Sequence, residues 1–207
     1  MESIGITVFR VVALIFSVVI HEVSHGLMAR SLGDRTAERL GRLTLNPLKH
    51  IDMFGSVLLP AFLVLSGSPF LFGYAKPVPY DPSALRDRIY GPSKVGVAGP
   101  MANILLALLA ALAVRLFGGF FSPLAVSLVL YIVWINLVLA VFNLIPVPPL
   151  DGHWFLMSVL PARFNALKLA LYRHQWFFLA VVVFVIFPLI SPVLMHLFGL
   201  LTGARLF

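Results

Sequence analysis

Cysteine is absent from the 207-residue chain. That excludes disulfides and thiolate metal ligands, so any metal must be held by His, Asp, Glu or water. Charge is scarce as well. The 8 acidic and 15 basic side chains make up 11% of residues, against roughly 25% in a soluble domain. Apolar residues account for 60%, and the mean hydropathy is +1.01. A soluble fold of this length has no core large enough to hide so much apolar surface, so the bilayer must solvate most of it. A net charge of +7 and a pI near 10.3 would point a soluble protein towards nucleic acid. No basic face with interleaved aromatics is present, and no nucleic-acid partner is expected. The cations fall between apolar runs, as the positive-inside rule requires. There are no internal repeats, low-complexity tracts or soluble domain. The chain reads as one membrane-embedded domain over 1–207, with its core in about 8–160.

Five apolar runs are present, at about 4–30, 51–66, 95–117, 124–146 and 176–201. The first is a poor signal peptide. Glu2 precedes it, Arg10 lies inside it, and no small-residue cleavage site follows, so residues 1–29 are expected to remain. The second run is short for a span, which needs about 20 residues. Arg30, Arg35, Arg39, Arg42 and Lys49 follow run one, and Lys76, Arg86, Arg88 and Lys94 follow run two. Arg163, Lys168 and Arg173 follow run four, while the turn between runs three and four is uncharged, with Arg115 near it. If runs one, three, four and five cross and run two turns back, every strongly basic loop is cytoplasmic. The expected fold is therefore an all-α polytopic protein of the cell membrane. It has about four transmembrane helices plus a re-entrant or half-spanning hairpin at 51–79 with short β-like segments. The fifth run holds Pro188 and Pro192 and reads as one kinked span or a broken one.

A re-entrant backbone survives at depth only when buried in protein or lining a cavity, which makes 51–79 a candidate active-site wall. Residues 68–80, rich in aromatics and prolines, read as extended. They form either an edge offering backbone hydrogen bonds to an extended peptide or a plain membrane-surface loop. Tyr74, Ala75 and Lys76 are the candidate substrate-binding residues.

His21-Glu22-Val23-Ser24-His25 lies inside the first run. His at i and i+4 share one helix face, so both imidazoles can hold one metal ion, with Glu22 beside them as a base. An ionisable group at a helix centre costs about 2.5–3.5 kcal/mol. Three within five positions need compensation, which metal ligation supplies. The bland alternative is a polar cluster near the membrane surface. A catalytic zinc site takes three protein ligands and keeps one open position. Candidates for the third are Asp52, Asp81, Asp151, His50, His153, His174 and His196. Asp151 is favoured because prolines before it break the helix and Gly152 allows a sharp turn.

Three motifs together resemble the site-2 protease family: His21-Glu-Val-Ser-His25, Gly99-Pro-Met-Ala-Asn103 and Asn143-Leu-Ile-Pro-Val-Pro-Pro-Leu-Asp-Gly152. The stretches 41–52 and 73–79 are similar to its compact bacterial branch, and the likeness covers about 8–160. No PDZ-like or CBS-like stretch is present. The resemblance implies an intramembrane zinc metalloprotease in which His21, His25 and Asp151 ligate one Zn²⁺ and Glu22 is the general base. It also implies that Asn143 faces the catalytic centre with Asn103 nearby. The implied partners are single-pass or small transmembrane substrate proteins and the lipid bilayer, with a homo-oligomer left open. His50 and Asp52 read as a surface pair, or as groups orienting a ligand. Rival functions are a metal or proton transporter, against which no matching broken helices occur in two halves, and a protease-like scaffold without activity.

Overall fold

Four helices long and apolar enough to cross a membrane form where runs one, three, four and five predict them. The structure, a computed structural model, describes residues 4–58, 62, 65–66 and 75–203. Among these residues the α-helices are α1 (Ile4–Ser31), α2 (Thr36–Arg39), α3 (Gly91–Phe117), α4 (Pro123–Leu144), α5 (Gly152–Val159), α6 (Asn165–Arg173) and α7 (Gln175–Thr202). The start of α4 is set by Ser122, whose hydroxyl accepts from the Ala125 amide, and by Pro123 in the first turn. It ends before Pro146, which disfavours helix in the residue preceding it. In α7 the prolines remove two backbone donors. The helix absorbs the loss in a π-helical stretch at Val182–Ile186 and runs on to Thr202, so the fifth run is one span.

Lipid tails are as apolar as leucine, so helices in a membrane associate through close packing of small residues and buried polar contacts. The inner face of α3 follows that rule with Gly99, Asn103, Ala107 and Ala111, four residues apart and all buried. Ala107 and Ala111 pack with Val133 and Leu137 of α4 and with Leu194 and Phe198 of α7. The outer faces remain apolar and exposed, as at Leu105, Leu109 and Leu112 of α3 and Phe184 and Leu189 of α7.

The segments on either side of run two meet at the end of the bundle that holds the C-terminus of α1. The Lys76 amide donates to the His50 carbonyl (2.9 Å), the Arg86 amide to that of Leu32 (2.8 Å), and the Asp81 amide to Asp34 Oδ2 (2.7 Å). Residues 75–80 have no regular secondary structure and join no ladder, and the described residues contain no strand. Much of the hairpin expected at 51–79, Tyr74 included, lies outside the described residues. The expected surface pair is not formed. His50 is only 2% exposed and its Nε2 lies 2.9 Å from the Thr44 carbonyl oxygen, because a buried imidazole needs a partner and a backbone oxygen supplies it. Asp52 instead accepts from the Phe54 and Gly55 amides (3.0 and 2.7 Å) and caps the π-turn at Met53–Leu58.

Candidate metal centre

Helical spacing puts His21 and His25 one turn apart on the buried face of α1, with ring centroids 4.7 Å apart. Each ring is held from behind. The Nδ1 of His21 lies 2.5 Å from Asn103 Oδ1, and the Nδ1 of His25 lies 2.7 Å from the Val95 carbonyl oxygen. Both oxygens can only accept, so each neutral ring carries its proton on Nδ1 and turns the Nε2 lone pair forward.

The loop after α4 brings the third group. It folds back so closely that a Cβ at Gly152 would run into the carbonyls of Leu144 and Ile145, which is why glycine follows Asp151. Asp151 Oδ2 then sits 2.9 Å from His21 Nε2 and 3.3 Å from His25 Nε2. With both rings neutral, three lone pairs face one point, an arrangement that a cation would relieve. The buried His25 Nε2 also has no hydrogen-bond partner. Two imidazoles and one carboxylate, with ligand atoms all within 4.8 Å of one another, match the donor set that a catalytic divalent-metal site uses. Opposite them a Cβ on Gly99 would lie 2.5 Å from His25 Nε2 and 2.7 Å from His21 Nε2, so this helix position must be bare.

A cavity of about 150 Å³ opens beside the group, lined in part by Glu22, His25, Val78, Tyr80, Asp151 and Trp154. Glu22 Oε2 accepts from the Val78 amide at 2.8 Å. Arg42 Nη2 donates to the Lys76 and Pro77 carbonyls (2.8 and 3.2 Å), holding that segment in place. Burial pushes the Tyr80 phenol well above its ordinary value, with Tyr172 and Asp151 adding to the shift, so the wall it forms is neutral.

The structure thus brings together His21, Glu22, His25 and Asp151. Asn103 is fully buried behind His21 rather than facing the cavity. Asn143, expected to face the centre, is half-buried and donates to the Leu139 carbonyl in its own helix (2.9 Å). Lys76 spends both its N–H and its C=O within the chain, so its backbone is not an open edge; Ala75 stands beside it, half-buried. His153, another candidate ligand, has its Nδ1 2.6 Å from the Leu150 carbonyl oxygen and packs against Trp154 and Tyr172. Sequence reasoning missed Ser17 and Asn136. Asn136 Oδ1 accepts from Asn103 Nδ2 (2.7 Å), and its own amide reaches Ser17 Oγ (2.9 Å). The signal was there, since an amide inside an apolar span needs a partner.

Residues 122–187 match the sequence profile of "Peptidase family M50". The chain is 35% identical over 196 residues to "Putative zinc metalloprotease YwhC" of Bacillus subtilis, covering 90% of this chain and 84% of that one. It is 32% identical over 192 residues to "Putative zinc metalloprotease Rip2" of Mycolicibacterium smegmatis, covering 92% and 71%. No solved structure matches the chain.

Proposed function

Because the chain belongs to peptidase family M50, the site-2 protease family, we propose that it is an intramembrane zinc metalloprotease, hydrolysing peptide bonds of transmembrane substrate proteins within the bilayer. Family membership and the four apolar helices make it a multi-pass membrane metalloprotease. The finer reading is carried by one observation: two imidazoles and a carboxylate converge inside the helical bundle, well away from its end. His25 and His21 precede Ser31, the last residue of α1, by six and ten positions, which at 1.5 Å per residue is about 9 and 15 Å.

In this reading His21, His25 and Asp151 hold one zinc ion per chain. Zinc, when bound, supplies Lewis acidity and activates water near neutral pH. Glu22, next to His21, takes a proton from the attacking water and returns it to the leaving nitrogen. The Val78 amide on Oε2 holds the carboxylate at the cavity and leaves Oε1 for the proton. Asn103 and Val95 hold the two rings with Nε2 forward, and Tyr80 and Trp154 narrow the cavity. Its volume of about 150 Å³ is far too small for a helix, which is roughly 10–12 Å across with its side chains. The substrate segment must therefore be extended or easily unwound where it is cut. Single-pass or small transmembrane proteins whose spans unwind locally fit that requirement.

The test is metal analysis beside a cleavage assay on a model transmembrane peptide. Purified wild type should hold one zinc and cleave, Asp151→Ala should lose both properties, and Glu22→Gln should keep zinc and not cleave. Cleavage by Glu22→Gln, or full zinc occupancy in Asp151→Ala, would overturn the assignment.

A further inference from the structure

Behind the three ligands lies a pair of amides that the chemistry above does not use directly. Asn103 of α3 and Asn136 of α4 are both 0% exposed. Their hydrogen bonds run in one direction only. Asn136 Nδ2 donates to the Ile132 carbonyl (2.9 Å) and to Ser17 Oγ (2.9 Å). A backbone carbonyl can only accept, so Ile132 fixes which end of the Asn136 amide is nitrogen. The oxygen end then faces α3 and accepts from Asn103 Nδ2 at 2.7 Å. That fixes Asn103 in turn, and its oxygen is left facing His21 Nδ1 at 2.5 Å. Without Asn136, Asn103 is held the right way round only by its longer bond to the Ser17 carbonyl, at 3.3 Å. A flipped Asn103 would offer His21 an amide N–H, favour the proton on Nε2, and remove that nitrogen as a metal donor.

We propose that Asn136 is a positioning residue of this centre: acting through Asn103, it selects the His21 tautomer that presents Nε2 to the metal. The proposal rests on the reading of His21, His25 and Asp151 as a zinc site. A purely structural amide, joining α1, α3 and α4, would affect stability without affecting metal affinity. The two roles separate in a double-mutant cycle.

The experiment measures zinc affinity of the full chain in detergent by chelator competition, alongside the Tm of the zinc-free protein. It compares wild type, Asn136→Leu, Asn103→Leu and the double variant. Loss of a group that orients a metal-ligating His typically costs 10–100-fold in affinity, and Asn136→Leu should lose about 10-fold. In the Asn103→Leu background the same change should cost less than about twofold, because its route to His21 is gone. Affinity unchanged in Asn136→Leu, or a loss that persists undiminished beside Asn103→Leu, overturns the proposal. Should Asn136→Leu fail to fold, Asn136→Ala removes the same acceptor from Asn103 without added bulk and should also weaken zinc binding about 10-fold; no change there overturns it equally. A wild type that binds no zinc overturns the zinc site itself, and this proposal with it, whereas a zinc-binding wild type leaves the orienting role to stand or fall alone.

Discussion

The bare helix position at Gly99 is the sharpest test of the centre's geometry. Alanine there adds a Cβ 2.5 Å from His25 Nε2 and 2.7 Å from His21 Nε2. Ordinary contact is about 3.5 Å or more, so both rings must retreat by roughly 1 Å from the point they share with Asp151. Alterations behind a ligating imidazole cost 10–100-fold in metal affinity. This one acts on the donor nitrogens themselves, so about 100-fold, or about 2.7 kcal/mol, is expected. The zinc-free fold should respond differently. Ala for Gly inside a helix gains about 0.5–1 kcal/mol, which offsets part of an overpacking cost of about 1–3 kcal/mol. Gly99→Ala should therefore leave the zinc-free Tm within a few degrees of wild type while zinc affinity and peptide cleavage collapse. Chelator competition and the cleavage assay read the two effects separately. Gly119→Ala, where a Cβ meets nothing within 4 Å, is the control and should change neither. A Gly99→Ala protein that binds zinc as wild type does, and cleaves, would refute the geometry on which the site rests.

Two further outcomes concern the loops that frame the cavity. Asp34, 2% exposed, accepts from the Thr36 amide and hydroxyl (2.8 and 2.6 Å) and from the Asp81 amide (2.7 Å). Burial works against its carboxylate, but these bonds outweigh it and hold the group below its ordinary 3.8. A depressed carboxyl contributes stability above its unfolded value and loses it as pH falls through the folded one. Asp34→Ala should accordingly cost about 1–3 kcal/mol near neutrality, and the Tm gap to wild type should close below about pH 4. A gap that stays constant across that range in thermal unfolding would count against the assignment. Arg42→Met removes the donor to the Lys76 and Pro77 carbonyls and so loosens the segment whose Val78 amide holds Glu22. Zinc content should be unchanged and kcat should fall about tenfold, a fraction of what a general base contributes; wild-type kcat would show that the segment does not hold Glu22.

How much of this was legible in the sequence follows from how each polar group in an apolar helix finds its partner. The pair His21 and His25 could be read because its geometry is local: four residues on a helix make one face. Asp151 could be singled out because prolines and a glycine around it announce a turn. Pairing across helices was not legible. Asn103 meets a histidine 82 positions away and Asn136 a serine 119 away, and no spacing rule encodes either.

Chemical type nevertheless sorts the polar residues of the spans. A hydroxyl can satisfy itself on the preceding turn of its own helix, as Ser24 does on Ile20 and Ser127 on Leu124. Such residues need no tertiary partner, and neither of these two is among the groups that converge at the site. An amide or imidazole carries a second functional end that its own helix cannot satisfy. Asn136 bonds its own turn at Ile132 and still reaches Asn103 and Ser17. Asn143, only half-buried, bonds its own turn at Leu139. Fully buried amides and imidazoles in spans are therefore the residues that must meet. Here His21 and His25 meet Asp151 at a single point, where one cation would satisfy two ring nitrogens and a carboxylate together.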